Sequence, residues 1–206
     1  MSGAAPGRRA AAVTRGNLFI ISAPSGAGKT TLARGLNEAL PNTAFSISHT
    51  TRPQRRNETH GVDYYFVSER EFLEMVDRGE FLEYARVFGN WYGTSKAAVR
   101  ELMEQGKTVL LDIDWQGARC VRQQMPGSGS IFILPPSMEE LERRLRSRGQ
   151  DSEEIIQQRM QKARDEIQHA EEYDYVVVND DFERALRELC AIVSGEHSTT
   201  ATGQSH

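Results

Sequence analysis

The chain of 206 residues has no apolar run near the ~20 residues that a membrane-spanning helix needs, which argues against a membrane partner. It has only two cysteines, Cys120 and Cys190, far apart in sequence and without metal-ligand spacing. That excludes a disulfide scaffold and a cysteine metal centre, and points to two reduced core thiols in a cytoplasmic protein. Charge of one sign is not in large excess: 25 Lys and Arg stand against 29 Asp and Glu, so nothing global marks nucleic acid as a partner. No internal repeat is evident. Residues 1–16 hold no acidic residue and no apolar core of the kind a secretory signal has, and read as a disordered tail. Their arginines keep an organelle-targeting segment as the alternative. Residues 195–206 are also tail-like, with Ser, Thr, Gly and Gln and no core-forming residue. One α/β domain fits the length between these tails.

What the chain does have begins at Leu18-Phe19-Ile20-Ile21, an apolar run too short for a typical helix and apolar enough for a buried strand. The chain then breaks at Ala23-Pro24-Ser25-Gly26-Ala27-Gly28, passes Lys29-Thr30-Thr31, and resumes at helical spacing with Leu32, Ala33 and Leu36. Strand, glycine loop, Lys-Thr and helix together form the phosphate-binding loop of nucleotide kinases and hydrolases. Glycines let successive backbone N–H groups converge on phosphate oxygens, the helix N-terminus adds partial positive charge, and lysine adds a full one. Lys29 is expected at the β/γ-phosphates of a nucleotide and Thr30 on Mg²⁺, with Asp112 as a second candidate on the metal side. Ala23 stands where the usual pattern has its first glycine, a small residue at home at negative φ.

Downstream, strands and helices alternate. Strands are expected at 44–48, 63–67, 80–88, 108–112, 130–134 and 175–178, and helices at 69–78, 96–105, 117–125, a stretch opened by Ser137 and Glu140, 152–173 and 182–193. Ser68 with Glu71, and Ser137 with Glu140, have capping-box spacing. The pattern implies a mainly parallel sheet flanked by helices, with a small β-rich insertion at 50–95. Two stretches carry clustered arginine. Arg52, Arg55 and Arg56 lie among hydroxyls and a proline, where guanidinium forks suit a phosphate. Arg143, Arg144, Arg146 and Arg148 crowd two helical turns, an arrangement expected to repel itself unless an anion visits, with Arg159 on the following helix. The apolar strand ending in Asp112, followed by Asp114, delivers carboxylates where ligands of parallel sheets collect.

Together, Ser25 to Thr30, Ser48 to Arg55, Gly61 to Tyr64, Glu80 to Glu83, Tyr92 to Thr94, Leu111 to Asp114 and Val178 to Asp181 resemble the guanylate kinase family from about Asn17 to Val193. The resemblance implies a P-loop kinase with a core at 17–49, 96–136 and 160–194, a GMP-binding insertion at 50–95 and a helical lid at 137–159. It implies transfer of a phosphoryl group from ATP to GMP with Mg²⁺. By position, Arg52, Arg55, Tyr64 and Tyr92 would hold the GMP phosphate, and Glu83, Ser48 and Thr94 the guanine. Asp112 and Asp114 would shape the Mg²⁺ and GMP side, in roles the sequence does not separate. Arg144, Arg148 and Arg159 would close over the transferring group, and Asn179 would touch the adenine. Two alternatives stand beside this one: a non-catalytic binding module of the same fold, and a kinase for another nucleoside monophosphate. Oligomeric state is left open.

Overall fold

The computed structural model describes residues 18–87, 89–147 and 152–196. The expected tail at 1–16, most of the expected tail at 195–206, and Arg148 lie outside the described residues.

The strand β1 (Leu18–Ser22) is buried along its whole length, and its alternating side chains feed two cores. Phe19 and Ile21 point toward helices α1 (Lys29–Ala39) and α7 (Phe182–Ser194), meeting Leu32, Leu36, Ala185, Leu189 and Ile192. Leu18 and Ile20 point the other way, toward Val99 of α3 (Lys96–Glu104) and Val121 of α4 (Trp115–Gln124). A strand buried on both faces reads as a continuous apolar run, which is why the sequence shows one here. Each such side chain is worth about 1.5–3 kcal/mol of burial.

Flanking β1 are β7 (Thr108–Asp112) and β8 (Gly129–Leu134), with β2 (Thr43–Phe45) and β9 (Tyr175–Val178) at the edges. The order is β2-β7-β1-β8-β9 and all four pairings are parallel. A second, mixed sheet joins β3 (His49–Thr50), β4 (Tyr65–Phe66), β5 (Phe81–Val87) and β6 (Asn90–Ser95) in the order β4-β3-β6-β5. Helix α2 (Glu69–Asp77) packs Phe72 against Phe81, and its Ser68–Glu71 capping box is complete. The remaining helices, α5 (Met138–Ser147) and α6 (Glu153–Ile167), share a small core of their own: Leu141, Leu145, Ile156, Met160 and Ala163.

Several expected boundaries move. The strand expected at 44–48 is split, because the chain leaves the first sheet after Phe45 and joins the second at His49. In 63–67 only Tyr65 and Phe66 join a sheet, Tyr64 making an isolated bridge to His60; Asp63 instead closes a turn, its carboxylate accepting from the Thr59 N–H at 2.7 Å. Helix α4 starts two residues early because the Asp114 carboxylate caps it, accepting from the Gly117 N–H at 2.9 Å. The helix expected over 152–173 ends at Ile167 and gives way to a 3-10 turn, Ala170–Glu172, that drops Ala170 and Tyr173 into the second core. Only half of the Ser137–Glu140 capping box forms, since the Glu140 carboxylate turns to Arg143 and Arg144. Cys120 is exposed on α4 rather than in a core; Cys190 is half-buried, and both thiols are free. Gly195, expected in the tail, is the left-handed C-cap of α7.

Candidate active site

Between β1 and α1 the backbone turns through Gly26 at φ 98° and Gly28 at φ 93°, conformations that L side chains rarely adopt. Space forbids side chains there as well. A Cβ on Gly28 would collide with the Asn179 side chain, and one on Gly26 would sit 2.9 Å from Leu141 of α5. Behind the loop, buried Asn179 donates its side-chain N–H to the Ala27 carbonyl at 2.7 Å. Arg144 reaches the same place from α5, donating to the Asn179 and Ala27 carbonyls at 3.0 and 3.4 Å.

In front of the loop lies a cleft of about 320 Å³, lined by Ala23, Pro24, Ser25, Gly26, Gly28, Lys29, Thr30 and Thr31, with Asp114 and Glu166 opposite. Lys29 is paired with Asp112 of β7, so its ammonium is held at the carboxyl end of the sheet. Glu166 comes from the last turn of α6 and is only 9% exposed. Burial pushes its carboxyl up, as does the nearby negative Asp114, while Lys162, Lys29 and the Ser25 N–H pull it down.

A second cleft, of about 250 Å³, opens on the other side of Asp112 between the two sheets, lined by Ser46, Ser48, Asp63, Tyr64, Thr94, Leu111 and Asp112. Beside it, Glu83 of β5 accepts from the hydroxyl of Thr94, one of the lining residues. The carboxylate lies over Gly117, where a Cβ would come within 3.1 Å of it, so glycine at that point of α4 is what gives Glu83 room. Burial raises the Glu83 carboxyl above the usual carboxylate range. At the rim, Arg52 forms a fork on Glu58 at 3.0 and 2.7 Å, hydrogen-bonds Tyr92, and lies 5.4 Å from the Tyr64 ring centre. Glu58 also accepts from the Arg55 backbone N–H at 2.8 Å.

Of the residues singled out in the sequence, the loop set thus shares one cleft. Ser48, Tyr64, Thr94 and Asp112 line the other; Glu83 reaches it through Thr94, Arg52 and Tyr92 meet it through Tyr64, and Arg55 is exposed. Asp112 and Asp114, inseparable by sequence, face different clefts. Asn179 spends its amide on the loop itself. Arg159 is half-buried on α6. The expected self-repulsion of the arginine helix is already offset: Arg143 and Arg144 pair with Glu140, and Arg146 with Glu142 and Glu153. Sequence reasoning missed Glu58 and Glu166. The first is an acid inside an arginine-rich loop, and the second an acid beside the apolar stripe of its helix, one turn beyond Ala163.

A glycine loop before a helix N-terminus, a lysine and threonine at its end, and carboxylates at the tips of parallel strands define a P-loop kinase of the α/β class. Comparison with known proteins narrows the class. The family model for guanylate kinase matches residues 15–196. A guanylate kinase of Vibrio cholerae serotype O1 is 55% identical over 184 residues, covering 88% of this chain and 89% of that protein. One from Methylococcus capsulatus is 54% identical over 187 residues, covering 91% and 92%. The crystal structure of guanylate kinase from Anaplasma phagocytophilum superimposes with a TM-score of 0.70 at 41% identity, covering 90% of this chain and 88% of that one. The chain belongs to the guanylate kinase family.

Proposed function

We propose that the chain transfers the γ-phosphoryl group of ATP to GMP, giving ADP and GDP. The observation that carries this reading is the meeting of two clefts at the end of β7: Asp112 lines one and Asp114 the other, two residues apart. Two anionic substrates held on either side of one strand end are already aligned for an in-line displacement.

On this reading Ala23 to Thr31 cradle the phosphates of ATP, with Lys29 at the β/γ end. Arg52, Arg55, Tyr64 and Tyr92 hold the GMP phosphate with charge and directed donors together. Glu83 accepts from guanine N1–H and its exocyclic amine, with Ser48 and Thr94 on the neighbouring edge. Adenine would set an unprotonated N1 against that carboxylate, which gives the selectivity. Asn179 acts as a buttress of the loop, supported by its bond to Ala27. The second sheet, 50–95, is the GMP-binding insertion, and 137–159, with its own small core, is the lid that carries Arg144, Arg148 and Arg159 over the transferring group.

Mg²⁺ fits the donors present. The Thr30 hydroxyl and the Asp112 and Asp114 carboxylates are hard oxygen ligands, and among the described residues no cluster of three or more His, Cys, Asp or Glu could hold an ion unaided. That matches an ion that arrives with phosphate oxygens and keeps its waters. The ion would neutralise charge between the phosphates; the chain's own part is to orient both nucleotides and keep water out. No nucleophile from the protein is needed, because the GMP phosphate itself attacks as an anion. Among the described residues no helix is long and apolar enough to cross a membrane, and a reducing cytoplasm suits the two free thiols.

ADP release measured with ATP, Mg²⁺ and, in turn, GMP, dGMP, AMP, UMP and dTMP tests this reading. Turnover with GMP, alone or with dGMP, is expected. Silence with every acceptor from folded protein would refute it.

A further inference from the structure

Three of the cation groups that the phosphates would use already have a carboxylate beside them: Lys29 has Asp112, Arg52 has Glu58, and Arg144 has Glu140. These three acids are satisfied by their partners. Glu166 is different. It lines the phosphate-loop cleft and is nine-tenths buried, yet its Oε2 has no hydrogen-bond partner among the described residues. Its nearest cation, Lys162 on the same helix, is exposed and stands 3.6 Å from Oε1. The groups facing it from other elements are the Ser25 N–H, Lys29 and Asp114, which are loop and cleft groups rather than a private ion pair. A buried carboxylate left this way is costly to the fold, and an apolar or amide side chain there would be better tolerated. Its placement serves the cleft.

We propose that Glu166 opposes the nucleotide phosphates: its carboxylate lines the cleft in front of the phosphate loop and weakens ground-state nucleotide binding. This rests on the reading of the cleft as the ATP site. A fixed negative charge facing bound phosphates raises the free energy of the ATP and ADP complexes alike, through a medium that screens it poorly. Binding that is too tight in the ground state lowers no barrier, and it slows the departure of ADP. Glu166 also ties this effect to the candidate lid, because it sits on α6 seven residues after Arg159, on the same side of the helix.

The test is calorimetric titration of ADP into the wild-type chain and into Glu166→Gln, Glu166→Ala and Glu166→Asp. Removing the charge is expected to lower Kd by about fivefold in both Gln and Ala variants, and the Asp variant is expected to stay within about twofold of wild type. A merely structural role predicts the opposite sign, weaker binding in every variant. Unchanged or weaker binding in the Gln and Ala variants would overturn the proposal, and so would tightening in Gln alone, which marks a new amide hydrogen bond. Wild-type protein that binds ADP yet turns over no GMP would refute the kinase reading while leaving the charge effect measurable. Wild-type protein that binds no ADP would overturn both.

Discussion

Arg52 and Glu58 face each other as a fork on a carboxylate, at 3.0 and 2.7 Å, both largely withdrawn from solvent at the rim of the smaller cleft. The same carboxylate holds the Arg55 backbone N–H, so one acid closes the loop that carries both arginines. Arginine has five N–H donors, and Arg52 gives two to Glu58, one to the Pro53 carbonyl at 2.9 Å and one to Tyr92, so the guanidinium is held in place by its own loop and its neighbouring strand. Replacing Glu58 by Ala is therefore expected to loosen the loop and raise KM for GMP about tenfold, with KM for ATP unchanged. Steady-state kinetics with each substrate varied in turn checks this; equal losses for both nucleotides would show a general folding defect instead.

Glu83 makes a sharper prediction. Its carboxylate is buried, held by Thr94 and seated on Gly117, so its orientation is fixed before any ligand arrives. Glu83→Gln keeps the shape and removes the ability to accept from two donors. The kcat/KM for GMP is expected to fall about 100-fold, with discrimination against AMP shrinking, because the amide no longer rejects an unprotonated ring nitrogen. Unchanged discrimination between the two nucleotides would remove Glu83 from base recognition.

How far the site was legible depends on what kind of signal each residue left. The loop from Ala23 to Thr31 was plain because its chemistry is local: glycines, lysine and threonine act through their own backbone turn. The strand ending at Asp112 was plain because a parallel strand buried on both faces has to be apolar. Asp112 and Asp114 could not be told apart, because their roles diverge only when β7 ends and Asp114 turns to cap α4. Glu58 left no periodic signal because it closes an irregular loop on Arg52 and Arg55, and Glu166 left none because Ser25, Lys29 and Asp114, which it faces, are brought by tertiary structure. The long helix was expected to run on to Tyr173, but 3.6-residue spacing alone does not register that the chain bends after Ile167, where Glu172 is taken up by Arg119 of α4.

That last contact predicts a pH dependence. Hydrogen bonds from Arg119, and then from His169, hold the Glu172 carboxyl down at about 2, against 4.5 in the unfolded chain. A folded-state value below the unfolded one contributes stability above about pH 4.5 and loses it as the pH falls toward 2. Glu172→Gln is thus expected to lower the urea midpoint at pH 7, with the gap to wild type narrower at pH 3 and closing toward pH 2. A gap that stays constant from pH 7 to pH 3 would show that the ion pair is not its source.

The loop and its buttress predict a coupled pair. Gly28→Ala forces a side chain into a left-handed turn and into Asn179, and is expected to lower the melting midpoint by at least about 5 °C and ADP affinity by more than about tenfold. Asn179→Ala alone removes the hydrogen bond to the Ala27 carbonyl, costing about 1–2 kcal/mol. In the double variant the collision is gone and only the backbone strain and the lost hydrogen bond remain, so the two losses should sum to more than the double variant shows. Thermal melts and ADP titrations of all four proteins give that coupling. Strict additivity would mean that Asn179 does not press on the loop, and the loop would then owe its shape to its glycines and α5 alone.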